Sequence, residues 1–188
     1  MGRNWKLWLL TPLMLLTACG KPDFDPAAVA AHYADGSLIA QYTVTTHGDF
    51  YTEYQLSATV EDGVHTVTIV RPESVAGVTA VLQNSQTIII RYEDVSLDAL
   101  LPQIDGCAPM DVLHGLLADL RQDLPVSWTM ETDTVTLDYQ ETLSDGTELW
   151  KRAVLQADTL TLQSAEIYLD GDLLLALQTD RFQWTAAG

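Results

Sequence analysis

Apolar and polar positions along the chain keep two different periods, and the places where one gives way to the other predict the elements. Ala27 to Ala34 is alanine-rich behind Pro26, whose fixed φ suits the first turn of a helix, and Gly36 ends this short helix. From Leu38 the period is two. Phe50, Thr52, Tyr54, Leu56, Ala58 and Val60 alternate with Tyr51, Glu53, Gln55, Ser57 and Thr59, as in a strand with one buried face. Asp62-Gly63 turns the chain back into His65 to Val70, and Arg71-Pro72 stops that strand because proline has no backbone donor. Val75 to Gln83 reads as a further strand broken at Gly77. In Thr87 to Tyr92 the isoleucines 88, 89 and 90 are consecutive, so this strand is expected to be covered on both faces, at the centre of a sheet or beneath a helix.

After Pro109 the period becomes helical. Met110, Leu113, Leu117, Leu120 and Leu124 recur at spacings of three and four, Leu116 widens the stripe, and Asp111, His114, Asp119 and Arg121 fall outside it. Asp111 near the start and Arg121 near the end also suit the helix dipole, and Pro125 closes the helix. A helix so one-sided is not stable alone in water and must lie on a sheet. The period then returns to two in Val126 to Glu131, Thr134 to Thr142, Glu148 to Gln156, Thr159 to Leu169 and Leu173 to Trp184, with Asp145-Gly146 and Asp170-Gly171 as turns. In Thr159 to Leu169 the apolar phase slips from Leu160 and Leu162 to Ala165, Ile167 and Leu169. A bulge near Ser164 would absorb the slip and bend the sheet. Strands, one apolar helix and more strands predict an α+β, mainly β chain: a curved antiparallel sheet over a helix.

The N-terminus changes the setting of this domain. Arg3 and Lys6 precede an apolar run from Leu7 to Leu16, the layout of a secretory signal and too short for a spanning helix, which needs about 20 apolar residues. The run ends in Leu16-Thr17-Ala18-Cys19, which resembles the bacterial lipobox, whose cysteine receives a diacylglyceryl group and becomes the mature N-terminus. On that resemblance residues 1–18 are a lipoprotein signal peptide, Cys19 is the lipid attachment site, residues 19–37 are a tether and short helix, and residues 38–188 are one domain. Two acyl chains give lasting attachment where one gives only reversible binding. The domain is then expected on the extracytoplasmic face of a bacterial membrane.

Charge narrows the partners. The 188 residues carry 9 Lys and Arg against 26 Asp and Glu, a net charge of −17, and loss of Arg3 and Lys6 with the signal makes it −19. Such a chain is repelled by phosphate backbones, which proteins bind by neutralising them, so nucleic acid is excluded as a partner. With Cys19 committed to lipid, Cys107 is the one remaining thiol: a small buried hydrophobe or a free thiol able to pair between chains.

Two segments carry a resemblance to a family. Leu160-Thr161-Leu162-Gln163-Ser164-Ala165-Glu166-Ile167-Tyr168-Leu169-Asp170-Gly171-Asp172, with Arg181-Phe182-Gln183-Trp184, is similar to the last hairpin of the LolA and LolB lipoprotein-carrier superfamily. Ile69-Val70-Arg71-Pro72-Glu73-Ser74-Val75-Ala76-Gly77-Val78 resembles its meander into the helical region, especially in Gram-positive lipoproteins, among which is the germination lipoprotein GerS. The resemblance implies a half-barrel, an unclosed antiparallel sheet whose concave face is capped by helices and leaves an apolar cavity for acyl chains. Neither Arg71 nor Arg91 matches the arginine that holds the carrier's lid, and a chain fixed by Cys19 departs from a soluble shuttle.

Candidate chemistry is sparse. His32, His47, His65 and His114 share no short spacing of a metal site, and no phosphate loop or nucleophile elbow is present. Asp170 and Asp172 resemble half of a calcium loop but are explained by the hairpin. Glu131, Asp133 and Asp138 read as solvated strand edges; Trp128, Trp150 and Trp184 read as core or as the mouth of a cavity. No catalytic residue, metal or cofactor is expected, and the chain is not expected to be an enzyme. The expected role is binding of a hydrophobic ligand, an acyl chain or lipoprotein, or of a partner protein, with Leu56, Val67, Ile69, Ile89, Leu113, Leu117 and Leu120 around the cavity. The alternative is a germination or envelope interaction lipoprotein with a filled core and no small-molecule ligand.

Overall fold

A computed structural model describes residues 24–48, 51–82, 87–100, 106–122 and 124–187. Cys19 and the signal segment lie outside the described residues. Helix α1 (Pro26–Tyr33) starts where Asp25 accepts a hydrogen bond from the Ala27 N–H at 3.0 Å. It leads into β1 (Gly36–Thr46), β2 (Thr52–Glu61), β3 (Val64–Arg71), β4 (Thr79–Leu82), β5 (Thr87–Tyr92) and β6 (Val95–Leu100). Helix α2 (Val112–Arg121) follows, and then β7 (Ser127–Met130), β8 (Thr134–Thr142), β9 (Glu148–Gln156), β10 (Leu162–Leu169) and β11 (Asp172–Ala186). The strands form one curved, unclosed antiparallel sheet in the order β6-β5-β4-β3-β2-β1-β11-β10-β9-β8-β7. This is the half-barrel with a helical cover that the alternation of periods predicts.

Alternation sets which side chains reach the concave face. Leu38, Ala40, Tyr42 and Val44 of β1 face their register partners Val60, Ala58, Leu56 and Tyr54 of β2, and the core cluster takes in all of the first seven. Asp62 and Gly63, both at positive φ, make the tight turn into β3 that the Asp-Gly pair predicts. The register of β10 on β9 shifts between Leu162 and Ser164, where the apolar phase slips in the sequence. A second shift, between Gln41 and Tyr42 in the pairing of β1 with β11, is less visible in the sequence. It lets Leu175 and Leu177 before it, and Phe182 and Trp184 after it, all turn inward. Gly36 opens β1 because Trp184 lies across it: a Cβ there would sit 2.5 Å from the Thr185 carbonyl oxygen and 2.7 Å from the indole.

Four expectations change. Val75 to Gln83 is not one strand: Glu73–Val75 is a 3-10 turn, Gly77 takes φ 89°, and only Thr79–Leu82 pairs. Proline and glycine this close together divide the segment before it can extend. The triple isoleucine strand is not central but second from the end, because β6 pairs beyond it. Val95–Leu100, with acids at Asp94 and Asp98, has too weak an alternation to be read as a strand. The apolar helix is also shorter than Pro109 to Pro125, with Met110 in the turn before it and Leu124 beyond its end.

Helix α1 is tied to the opposite half of the sheet. The buried Tyr33 hydroxyl donates to the Leu160 carbonyl at 2.6 Å, and the Trp184 indole N–H donates to the His32 carbonyl at 2.8 Å. Tyr33→Phe strands that carbonyl and is expected to lower unfolding stability by about 1 kcal/mol, read as a shift of the urea midpoint at unchanged slope.

Candidate functional site

The functional question turns on the concave face and what fills it. Helix α2 lies there with Val112, Leu113, Gly115, Leu116, Leu117 and Leu120 buried. The chain enters it through Gly106, at φ 79°, whose position would hold a Cβ only 3.3 Å from the Gly115 Cα. Asp111 precedes the helix, and its carboxylate accepts from the Ala108 N–H at 2.7 Å. Asp111 is buried, although its place outside the leucine stripe predicts exposure. The turn Ala108 to Asp111 folds beneath the helix start, so its position is set by tertiary packing rather than by helical phase.

Polar contacts pin α2 on three sides. Arg121 donates from Nε to the Tyr33 carbonyl at 3.0 Å, with its guanidinium 6.0 Å from the Trp184 ring centre, which joins α2 to α1. Lys151 of β9 donates to Asp119 at 2.9 Å in a mostly buried ion pair. His114 meets His65 of β3 edge-on, ring centres 4.3 Å apart. Burial first, then His114 and Arg121, push the His65 pKa down to about 3, so the imidazole is neutral. Beneath the same helix the Tyr42 hydroxyl is buried without a hydrogen-bond partner, and burial together with nearby Asp111 raises its pKa.

Lys151→Met removes the cation and leaves Asp119 in its low-dielectric setting. It is expected to cost about 2 kcal/mol in urea unfolding, and Lys151→Met with Asp119→Leu is expected to recover most of that.

Among the described residues, two recesses lie beside the helix. One of about 280 Å³ lies beside its C-terminal end, between Asp119, Gln122 and Leu124 on one side and Tyr139, Glu141 and Lys151 on the other. Another of about 510 Å³ is lined by Asp35, Gly36, Asp62, Arg121 and Thr185 among others.

No family model matches the sequence, and no curated protein does. Solved structures do match by shape. One chain of the complex of the CwlD amidase with the GerS lipoprotein, from Clostridioides difficile, is 14% identical with a TM-score of 0.50, over 79% of this chain and 86% of that one. The LolA superfamily protein NE2245 from Nitrosomonas europaea is 10% identical with a TM-score of 0.44, over 88% of this chain and 96% of that one. The fold is LolA-like.

Within this LolA-like half-barrel, Leu56, Val67, Ile69, Leu113, Leu117 and Leu120 come together in one core cluster, each no more than 6% exposed. They pack against one another across the space between α2 and the sheet. Ile89 does not join them. It is half-buried, and its neighbours Ile88 and Ile90 are the residues of β5 that meet the core. Three consecutive isoleucines hide the phase of the strand, so sequence reading cannot choose between them.

Other residues were misjudged for reasons of tertiary contact. Asp138 is buried, not solvated, accepting from Arg152 and from the Ser127 hydroxyl, each at 2.8 Å. Glu131 and Asp133 are exposed. Trp128 is exposed at the rim and meets Phe24 in a tilted ring contact, while Trp150 and Trp184 are half-buried. Cys107 is half-buried and packs against the core. The His65–His114 pair joins a strand to a helix, and no sequence spacing reports it. Among the described residues no group of three His, Cys, Asp or Glu is placed to hold a metal ion.

Proposed function

We propose that this chain is a membrane-anchored extracytoplasmic lipoprotein that acts by binding a protein partner, held to the bilayer through a diacylglyceryl group on Cys19. The carrying observation is that α2 occupies the concave face: the residues expected to line an acyl cavity spend their surface on one another. The signal is residues 1–18, the lipidated N-terminus, tether and short helix are residues 19–37, and the half-barrel is residues 38–188, with α1 packed against its core. Among the described residues no helix is long and apolar enough to cross a membrane. A protein assembly is also the setting of the chain of like fold in the amidase–lipoprotein complex. The role asks for no catalytic residues and no cofactor.

Cross-linking in intact cells, followed by purification of the lipidated chain, tests this role. One protein recovered in stoichiometric amount supports it. A chain carrying lipid beyond the group on Cys19, with no such protein, overturns it.

A second role, reception of an acyl chain or lipoprotein, has one observation in its favour. The interface under α2 contains a buried hydroxyl without a partner and a neutral histidine, so it is the least satisfied part of the core and the place where a cover would lift. Acyl binding there requires α2 to move, and a cysteine cross-link from α2 to β3 would then abolish it.

A further inference from the structure

Trp128, Val126 and Leu124 form an apolar rim that the half-barrel does not use. They are 43%, 53% and 76% exposed, and they follow one another within five residues at the β7 end of the sheet. Trp128 is the register partner of Leu137, a core residue, so its ring belongs to the concave side and projects past the edge of the core. Its partner there is Phe24, with ring centres 5.4 Å apart. Phe24 is the first described residue, so the tether leaves the domain from beside this rim. Four residues lie between it and Cys19, and an extended chain spans those five steps in about 18 Å at most.

We infer that this rim is a lipid-facing surface, resting in the headgroup region of an uncharged bilayer and fixing the orientation of the tethered domain. Geometry and chemistry agree on it. The anchor brings the rim within reach of the headgroup layer. An amphipathic indole beside two aliphatic side chains suits the boundary between headgroups and acyl chains, where such groups bury about 5–10 Å deep. The surroundings select the lipid: Asp25, Glu131 and Glu141 are exposed nearby along the same elements, and the mature chain is strongly acidic, so anionic headgroups repel it and zwitterionic ones do not. Held this way, the half-barrel has its β7 edge against the membrane. The inference rests on the lipid anchor proposed above.

The test uses the full lipidated chain in vesicles of dibrominated phosphatidylcholine, with Trp128 emission obtained as the difference between the native chain and Trp128→Phe. Mass analysis of the N-terminal peptide reports the group on Cys19 independently. Trp128 is expected to be quenched and shifted to the blue. Leu124→Glu with Val126→Glu, both at exposed positions and so compatible with folding, is expected to abolish the quenching while leaving the chain on the vesicle. Replacing half of the lipid with phosphatidylglycerol is expected to weaken it. A lipidated chain whose Trp128 is unquenched overturns the inference and leaves the anchor standing. A chain without lipid on Cys19 overturns both. A rim covered by a second copy, seen as a blue shift without quenching together with a doubled mass, also overturns it.

Discussion

Leu117→Asp is expected to leave no cooperative unfolding transition at neutral pH, and Leu117→Ala to keep the fold at a loss of about 3 kcal/mol. Leu117 is fully buried at the middle of α2, in the cluster that includes Leu56, Val67 and Ile69 of the sheet. Removing its side chain deletes contacts on both sides and leaves a void that the rigid sheet cannot collapse into. An aspartate there places a charge among apolar side chains. Circular dichroism against urea concentration separates the two outcomes: a shifted midpoint for alanine, a sloping baseline for aspartate. A Leu117→Asp chain that unfolds in one sharp transition near the native midpoint would mean that α2 is not the plug of the half-barrel.

The second large effect is acid sensitivity through His65. In the folded chain its pKa is held near 3, against 6.5 for an unfolded histidine, so between these values the unfolded chain binds the additional proton. Stability contributed this way is intact above pH 6.5 and falls as pH drops toward 3. The groups that face the ring are His114 and Arg121, both on α2, while its strand neighbours, Val60 of β2 and Leu82 of β4, are apolar. About 3 kcal/mol is expected to be lost between pH 6.5 and pH 4 through this residue. In His65→Gln that part of the slope disappears while the contribution of the carboxylates remains. Urea midpoints at half-unit pH steps give the slope directly; parallel slopes for the two chains would remove His65 as the cause.

Much of the fold was legible because the periods are clean where the sheet has one buried face. Leu56, Ala58 and Val60 turn inward as their alternation requires, and each of the Asp-Gly pairs 62–63, 145–146 and 170–171 sits between paired strands. Legibility ended where tertiary contact overrides local pattern. Ile88, Ile89 and Ile90 carry no phase, the weakly alternating Val95–Leu100 pairs because β5 offers it an edge, and Leu124 continues the spacing of a helix that has already ended at Arg121. The site was harder. Of Leu56, Val67, Ile69, Ile89, Leu113, Leu117 and Leu120, all but Ile89 are in the core cluster, but their pattern does not say whether they enclose space or fill it. That depends on how closely α2 approaches the sheet, which no period encodes; nor does a period show that Gly106 lets the preceding turn lie close against Gly115 of the helix. Nor does a pattern reveal that Asp111, His65 and Asp138 are buried: His65 meets His114 and Asp138 meets Ser127 and Arg152, all distant in sequence, and Asp111 is covered by the packing of α2 on the sheet.

The strand order has a further consequence for how the molecule assembles. Each half of the chain is a run of neighbouring hairpins, β1 to β6 and β7 to β11, that can zip up from local turns, and the halves meet along one seam where Leu38 lies against Trp184. Closing that seam brings together residues from near the two extremes of the domain, so it carries most of the loop-closure entropy and is the step expected to limit the folding rate. During synthesis the N-terminal half emerges first with β1 unpaired along its outer side, and it must wait for the final strand before that side is satisfied.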